Sequence, residues 1–266
     1  MGIVSFNGIS TEDLGLIVQT PPVHTFPEKD TDTYHVPGKN GDVVIDNNTY
    51  KNVERTYNFA AIFKQGDTFT AIARKITAWL NSAKGYARLE DSYEPEFFRY
   101  AMYRKNNEML NYWDQATTIN ATFECKPQRY LRTGDEFVEI QNGVDNELLN
   151  PFNFIAKPII KVTTNGANAT ITFKRMNASG QLETINTVTI TETVSDLIID
   201  TELQDCYNES GYKNGIVTLS GFEFPELKEG ITYVAVNSAV STIEIKPRWW
   251  TLWLSYMIQM NKPSPL

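Results

Sequence analysis

The sequence predicts an α+β protein that is mostly β, with a β-rich N-terminal domain carrying one helix and an extended arm, and a C-terminal β-sandwich. Three observations point there. A single stretch, between Asp67 and Gly85, repeats apolar residues at helical spacing. The remainder of the first half alternates short apolar runs with Pro and Gly punctuation. The second half changes texture at about Asn142, becoming rich in Thr, Ile, Val and Asn with no helical stripe.

Taken in order, residues 1–20 read as strand, turn and strand. Pro21-Pro22 interrupts regular structure, because proline lacks a donor and restricts the residue before it. Residues 24–36 are polar and read as an extended arm or loop. Val36-Pro37-Gly38-Lys39-Asn40-Gly41-Asp42 is a turn, with glycines able to take positive φ. Strands are predicted at Val43–Ile45 and at 53–63, where Val53, Arg55, Tyr57 and Phe59 alternate. The helix is expected to be capped by Asp67, to bury Phe69, Ile72, Ala73, Ile76, Trp79 and Leu80, and to stop before Gly85. Two strands then flank a polar turn closed by Pro95, and another runs from Thr117 to Cys125.

In the second half, strands are predicted at 158–164, 169–175, 182–191, 196–200, 215–220, 231–236 and 241–246. The turns between them include Asn165-Gly166, Ser179-Gly180, Asn214-Gly215 and Glu229-Gly230. Short strands at this spacing form a sandwich. The expected division is an N-terminal domain over 1–134, a C-terminal domain over 135–253 and an extension over 254–266.

Composition narrows the function. The chain has 266 residues with 41% hydrophobic content, enough for a core that needs no disulfide or metal staple. Its net charge of −8 sets it against phosphate backbones, and sequence-specific nucleic-acid binding is not expected. The N-terminus has no basic region before an apolar run, so no signal peptide is expected. The most apolar stretch, Trp249 to Met260, is too short to insert in a membrane. Cys125 and Cys206 lie far apart and read as reduced core thiols. With His24 and His35 the only histidines, no metal set is predicted.

No nucleophile elbow, phosphate loop or dinucleotide fingerprint occurs, so neither catalytic residues nor cofactors are predicted. Glu90, Asp91, Glu94 and Glu96 form a paired-carboxylate candidate for glycoside hydrolysis, but a charge run beside Pro95 reads as a solvated turn. Trp249, Trp250 and Trp253 are the best binding candidates, since tryptophans stack on sugars or anchor interfaces.

Several segments, in order, resemble the distal tail protein family of long-tailed, non-contractile phages of Gram-positive hosts. They are Val36-Pro37-Gly38-Lys39-Asn40-Gly41; Ile76–Leu80 followed by Gly85-Tyr86 and Leu89-Glu90-Asp91-Ser92-Tyr93; Phe123–Tyr130; and Lys157-Pro158-Ile159-Ile160-Lys161-Val162. Ile198-Ile199-Asp200 with Tyr207, Phe224-Pro225-Glu226-Leu227 with Gly230, and Ile245–Leu252 complete the set. Together they run from about residue 36 to 252, without the inserted carbohydrate-binding modules of longer members.

The resemblance implies a non-catalytic homo-hexameric ring and a galectin-like C-terminal sandwich. Its partners would be the tail tube protein, a tail-associated lysin or tail-fibre-type protein, and receptor-binding or baseplate proteins. The protein would be made in the host bacterial cytoplasm and reside at the virion tail tip. By position, Pro37, Gly38, Gly41, Trp79, Asp91 and Tyr93 become candidate ring contacts, and Trp249, Trp250 and Trp253 candidate docking aromatics. The chain runs on past the family's usual end, through Leu254 to Leu266. A carbohydrate-binding module for host cell-wall glycan is the alternative reading, and a cell-wall hydrolase the third.

Overall fold

A computed structural model describes residues 2–104, 108–113 and 115–252. The chain divides into two compact units after Arg129.

Unit 1 is built on one antiparallel sheet. Its strands are β1 (Val4–Phe6), β2 (Ile9–Ser10), β3 (Leu16–Val18), β6 (Val53–Ile62), β7 (Ala87–Asp91), β8 (Phe97–Tyr103), β9 (Met109–Tyr112) and β10 (Ala116–Cys125), with helix α1 spanning Phe69–Leu80. The order is β2-β1-β7-β8-β10-β6-β3, and β9 pairs the first half of β10. The missing pair, β4 (Lys29–Tyr34) and β5 (Val43–Tyr50), forms a separate two-stranded sheet.

The alternation expected in β6 is present: Val53, Arg55, Tyr57, Phe59 and Ala61 all turn inward. They meet Phe123, Ala121 and Ile119 of β10, which runs beside β6 from Ala116↔Ile62 to Cys125↔Val53. Helix α1 closes this core with Ile72, Ile76, Trp79 and Leu80. Trp79 is only 2% exposed; its ring meets Phe59 and Phe123 edge-on, and its Nε1 donates to the carbonyls of Phe6 and Ile9 at 3.2 Å. A buried indole thus has its polar atom satisfied, as burial requires.

The N-cap differs from expectation by one residue. Thr68 takes extended φ/ψ and its Oγ1 accepts from Ala71 N, whereas Asp67 accepts from Lys64 N and closes the preceding turn. The polar stretch at 24–36, read as an extended arm or loop, contains strand β4, and β9 is an element that the sequence pattern does not predict.

Unit 2 begins at Tyr130, within the short strand β11 (Arg129–Leu131), and is a two-layer sandwich. One layer comprises β12 (Val138–Glu139), β14 (Ile159–Thr164), β17 (Leu197–Asp200), β18 (Asp205–Asn208), β19 (Gly211–Tyr212) and β22 (Val240–Lys246), in the order β12-β22-β14-β17-β18-β19. The other comprises β13 (Asn146–Asn150), β15 (Ala169–Met176), β16 (Leu182–Ile190), β20 (Val217–Leu219) and β21 (Gly230–Val236), in the order β13-β21-β15-β16-β20. Each layer buries alternate residues: Ile160, Val162, Leu197, Ile199, Ile243 and Ile245 on the first, Ile171, Phe173, Val188, Ile190 and Val234 on the second. Strand β23 (Trp250–Thr251) pairs β11.

Both cysteines are buried and unbonded, with burial pushing the thiols of Cys125 and Cys206 up to about 12 and about 11. Among the described residues no group of His, Cys, Asp and Glu could hold a metal, and no helix is long and apolar enough to cross a membrane.

Candidate assembly surface

The β4–β5 hairpin is the part of unit 1 that the core does not explain. Its tip is a tight turn: Pro37 and Gly38 occupy the central positions, Lys39 N donates to Val36 O at 3.1 Å, and Gly38 has φ 82°. That is a type II turn, and the glycine is needed because a Cβ there would strain the backbone. Gly41 has φ 81°, and His35 and Asp42 pair across the base of the turn at 3.2 Å.

Below the tip, Tyr34↔Val43, Thr33↔Val44 and Asp32↔Ile45 are in register. The register shifts between Asp30 and Thr31, where Asn48 takes φ 55° and its N–H is held by Asp46 Oδ1 at 2.9 Å. Such a bulge bends a hairpin. Lys29 reaches Asp46 at 2.6 Å, an exposed pair that contributes little.

Among the described residues, most side chains on both faces of this hairpin are exposed. Val44 is 60% exposed, and Tyr34, Val36 and Ile45 are exposed as well. Tyr34, Val43 and Ile45 share one face by the two-residue period. An isolated two-stranded ribbon is marginal in water, so this one has the composition of a surface that is completed by something else. A second exposed apolar tip, Leu110, Tyr112 and Trp113, sits on the β9 side of the sheet.

The segment leading into the hairpin is pinned. Pro22 and Pro27 are buried, and between them His24 Nδ1 lies 3.5 Å from Glu94 Oε1. Glu94 belongs to a buried ionic cluster. Arg55 Nη2 donates to Asp91 Oδ2 at 2.8 Å, and Tyr57 Oη donates to the same oxygen at 2.6 Å. The other carboxylate oxygen of Asp91 accepts the N–H groups of Tyr93 and Glu94, both at 2.9 Å. Glu94 in turn contacts Arg55 and Arg99 at 3.4 Å, and Arg129.

Burial alone would raise the carboxyl of Asp91, but Arg55, aided by hydrogen bonds from Tyr57 and Arg55, holds it below the ordinary value. Burial raises the Tyr57 phenol well above its usual range, keeping it a neutral donor. The expectation of a solvated acidic turn is therefore corrected for Asp91 and Glu94. Asp91 is buried and the Glu94 side chain is 10% exposed, because the inward position of Arg55 on β6 and the positions of Arg99 and Arg129 bring three guanidinium groups to them. Glu96 stays exposed, and Glu90 pairs with Arg88 at 2.7 Å.

The sequence-derived ring candidates fall in three settings. Pro37, Gly38 and Gly41 lie at the exposed hairpin tip. Trp79 and Asp91 are inside unit 1, where they hold its core and its ionic cluster. Tyr93 is half-buried, its hydroxyl so close to Gly2 that a Cβ there would lie 2.1 Å away.

Trp249 is buried against Gly134, where a Cβ would come within 2.6 Å of Trp249 N. Trp250 stacks on Phe154 at 4.5 Å and donates to Ile155 O at 2.9 Å. Trp253 lies outside the described residues, as does the 254–266 extension. Between Pro247 and these tryptophans, Arg248 takes φ 59°, donates to Lys157 O at 2.5 Å and binds Asp200 at 2.8 Å. Three segments quoted for the family resemblance thus meet around one guanidinium. The residues that the sequence reading missed are Tyr34, Val44 and Ile45; their only signal was apolar character beside a Pro-Gly turn.

No protein-family description and no curated sequence relative matches the chain. Solved structures do. The Dit protein of phage SPP1, described as a paradigm of the hub adsorption apparatus in phages infecting Gram-positive bacteria, superposes with a TM-score of 0.66 at 14% identity, over 92% of this chain and 98% of that one. The chain has the Dit fold. A chain of the phage P2 baseplate in its activated, Ca-containing conformation is similar at a TM-score of 0.51 and 8% identity, over 92% of this chain and 96% of that one. With identities this low, the Dit likeness speaks for architecture across both units, and the residues above carry the functional reading.

Proposed function

We propose that this chain is a non-enzymatic structural subunit of a phage tail tip, six copies of which close into a ring. The ring joins the tail tube to the tail-associated protein and is the hub on which host-adhesion parts assemble. The subunit is made in the host bacterial cytoplasm and ends in the virion. The observation that carries this reading is the β4–β5 hairpin, a separate two-stranded sheet whose apolar residues Tyr34, Val44 and Ile45 are exposed. A ring uses one patch of each subunit against a different patch of the next, and a projecting ribbon with a pinned root suits that geometry. Likeness to a hub protein and to a baseplate chain supports the same reading.

The test is a Val44→Asp/Ile45→Asp variant of the full chain, examined by light scattering beside the wild type. Both residues are exposed, so the variant should melt at the wild-type temperature while losing the ring mass. A variant that assembles like the wild type removes the hairpin from the interface.

A further inference from the structure

A cleft of about 370 Å³ opens in unit 2, lined by Lys157, Thr201, Gln204, Phe222, Glu223, Phe224 and Glu226. Its lining is dominated by polar groups, yet Phe222 at its edge is 97% exposed. Phe222 also has φ 60°, directly after Gly221 at φ 68°. A bulky residue rarely adopts the left-handed region, and glycine would do so without penalty. Gln204, also in the lining, is likewise left-handed at φ 57°. The fold therefore bears two costs at Phe222, a strained backbone and an aromatic ring left in water, and recovers neither through packing. Strain of this kind collects where a ligand is held.

We propose that this cleft binds a neutral sugar, a hexopyranose or N-acetylhexosamine unit of a glycan, with Phe222 as the stacking platform. A pyranose ring has an apolar face for the phenyl ring and hydroxyls at its rim that both donate and accept. The lining residues include both kinds of partner: an ammonium (Lys157) and an amide (Gln204) that can donate, and two carboxylates (Glu223, Glu226) and the Gln204 carbonyl that can accept. One cation against two carboxylates disfavours a polyanionic ligand such as a sugar phosphate chain. Two of the lining residues are tied to their surroundings: Thr201 Oγ1 donates to Pro158 O at 2.9 Å, and Asn186 Nδ2 donates to the carbonyl of Glu223 at 2.9 Å. The residue next to Phe222 is thus held in place, and a pre-ordered lining lowers the cost of binding at a weak, shallow site. This assignment stands apart from ring formation, which uses residues of unit 1.

The experiment is saturation-transfer NMR and calorimetric titration of the full chain with glucose, galactose, N-acetylglucosamine and N-acetylmuramic acid, alongside the Phe222→Gly and Glu226→Gln variants. The expected result is millimolar binding of at least one neutral sugar. Phe222→Gly should weaken it by roughly tenfold or more while melting no lower than the wild type, because glycine relieves the left-handed strain. Binding of the anionic N-acetylmuramic acid in preference to the neutral sugars contradicts the ligand class. Absence of binding by the wild type to every sugar, or undiminished binding by Phe222→Gly, overturns the site. Loss of a protein partner from reconstituted tail tips in Phe222→Gly, with sugar binding absent in the wild type, also overturns it and makes the phenyl ring a protein anchor.

Discussion

Replacing Arg55 by alanine removes a guanidinium whose side chain is 4% exposed, so solvent cannot take its place. In the wild type it supplies hydrogen bonds to Asp91 Oδ2 at 2.8 and 3.2 Å and one to Tyr57 Oη at 2.8 Å. Without it Asp91 keeps the Tyr57 hydroxyl and two amide donors but loses its facing charge, while Glu94 still has Arg99 and Arg129. Removing one partner of a buried pair costs about 3–5 kcal/mol, because the other charge is left in a low-dielectric site. Arg55→Ala should therefore destabilise unit 1 by about that amount. The Arg55→Ala/Asp91→Ala double variant should cost about 0.5–3 kcal/mol less than the two single losses added, since each deletion strands the same partner. Urea unfolding followed by tryptophan fluorescence measures both quantities. A single-variant loss below about 1 kcal/mol, the range of an exposed ion pair, with additive single effects, would refute the claim that this cluster organises unit 1.

Three further outcomes follow from the same geometry. Because the Asp91 carboxyl is held below its ordinary value when folded, its stabilisation is complete above about pH 4 and is lost as pH falls through the folded value; acid titration of Asp91→Asn should show a shallower loss of stability there than the wild type. Gly134→Ala forces a Cβ to within 2.6 Å of Trp249 N and 2.9 Å of its Cβ, and should cost unit 2 about 1–3 kcal/mol in thermal or urea unfolding. Gly38→Ala, at φ 82° on the hairpin tip, should leave the melting temperature of unit 1 nearly unchanged, since an added Cβ there meets nothing within 4 Å, but should weaken ring assembly in light scattering by distorting the turn.

Much of the architecture was legible. Inward alternation at Val53, Arg55, Tyr57 and Phe59, the α1 stripe, and the regular Thr/Ile/Val strands of unit 2 are local patterns, and local patterns survive folding. Arg55 was itself a clue, since an arginine at an inward position of a strand needs a carboxylate. The partner lies 36 residues away at Asp91, in a run that looks solvated beside Pro95, and such pairing leaves no local trace. Strand β4 was hidden for the opposite reason: with neither face buried, Lys29–Tyr34 shows no alternation to read. Trp79 and Asp91 were placed among the ring contacts by their position in the family resemblance, and the structure gives both to the interior. The cleft at Phe222 draws on three separate loops and was not visible in the sequence at all.

The most direct test of the assembly reading is the mass of the full chain by light scattering across a concentration series, alone and mixed with tail-tube and tail-associated proteins, with negative-stain images of the heaviest species. The expected result is a species of six chains that appears as an annulus. A monomer at every concentration and in every mixture would contradict it.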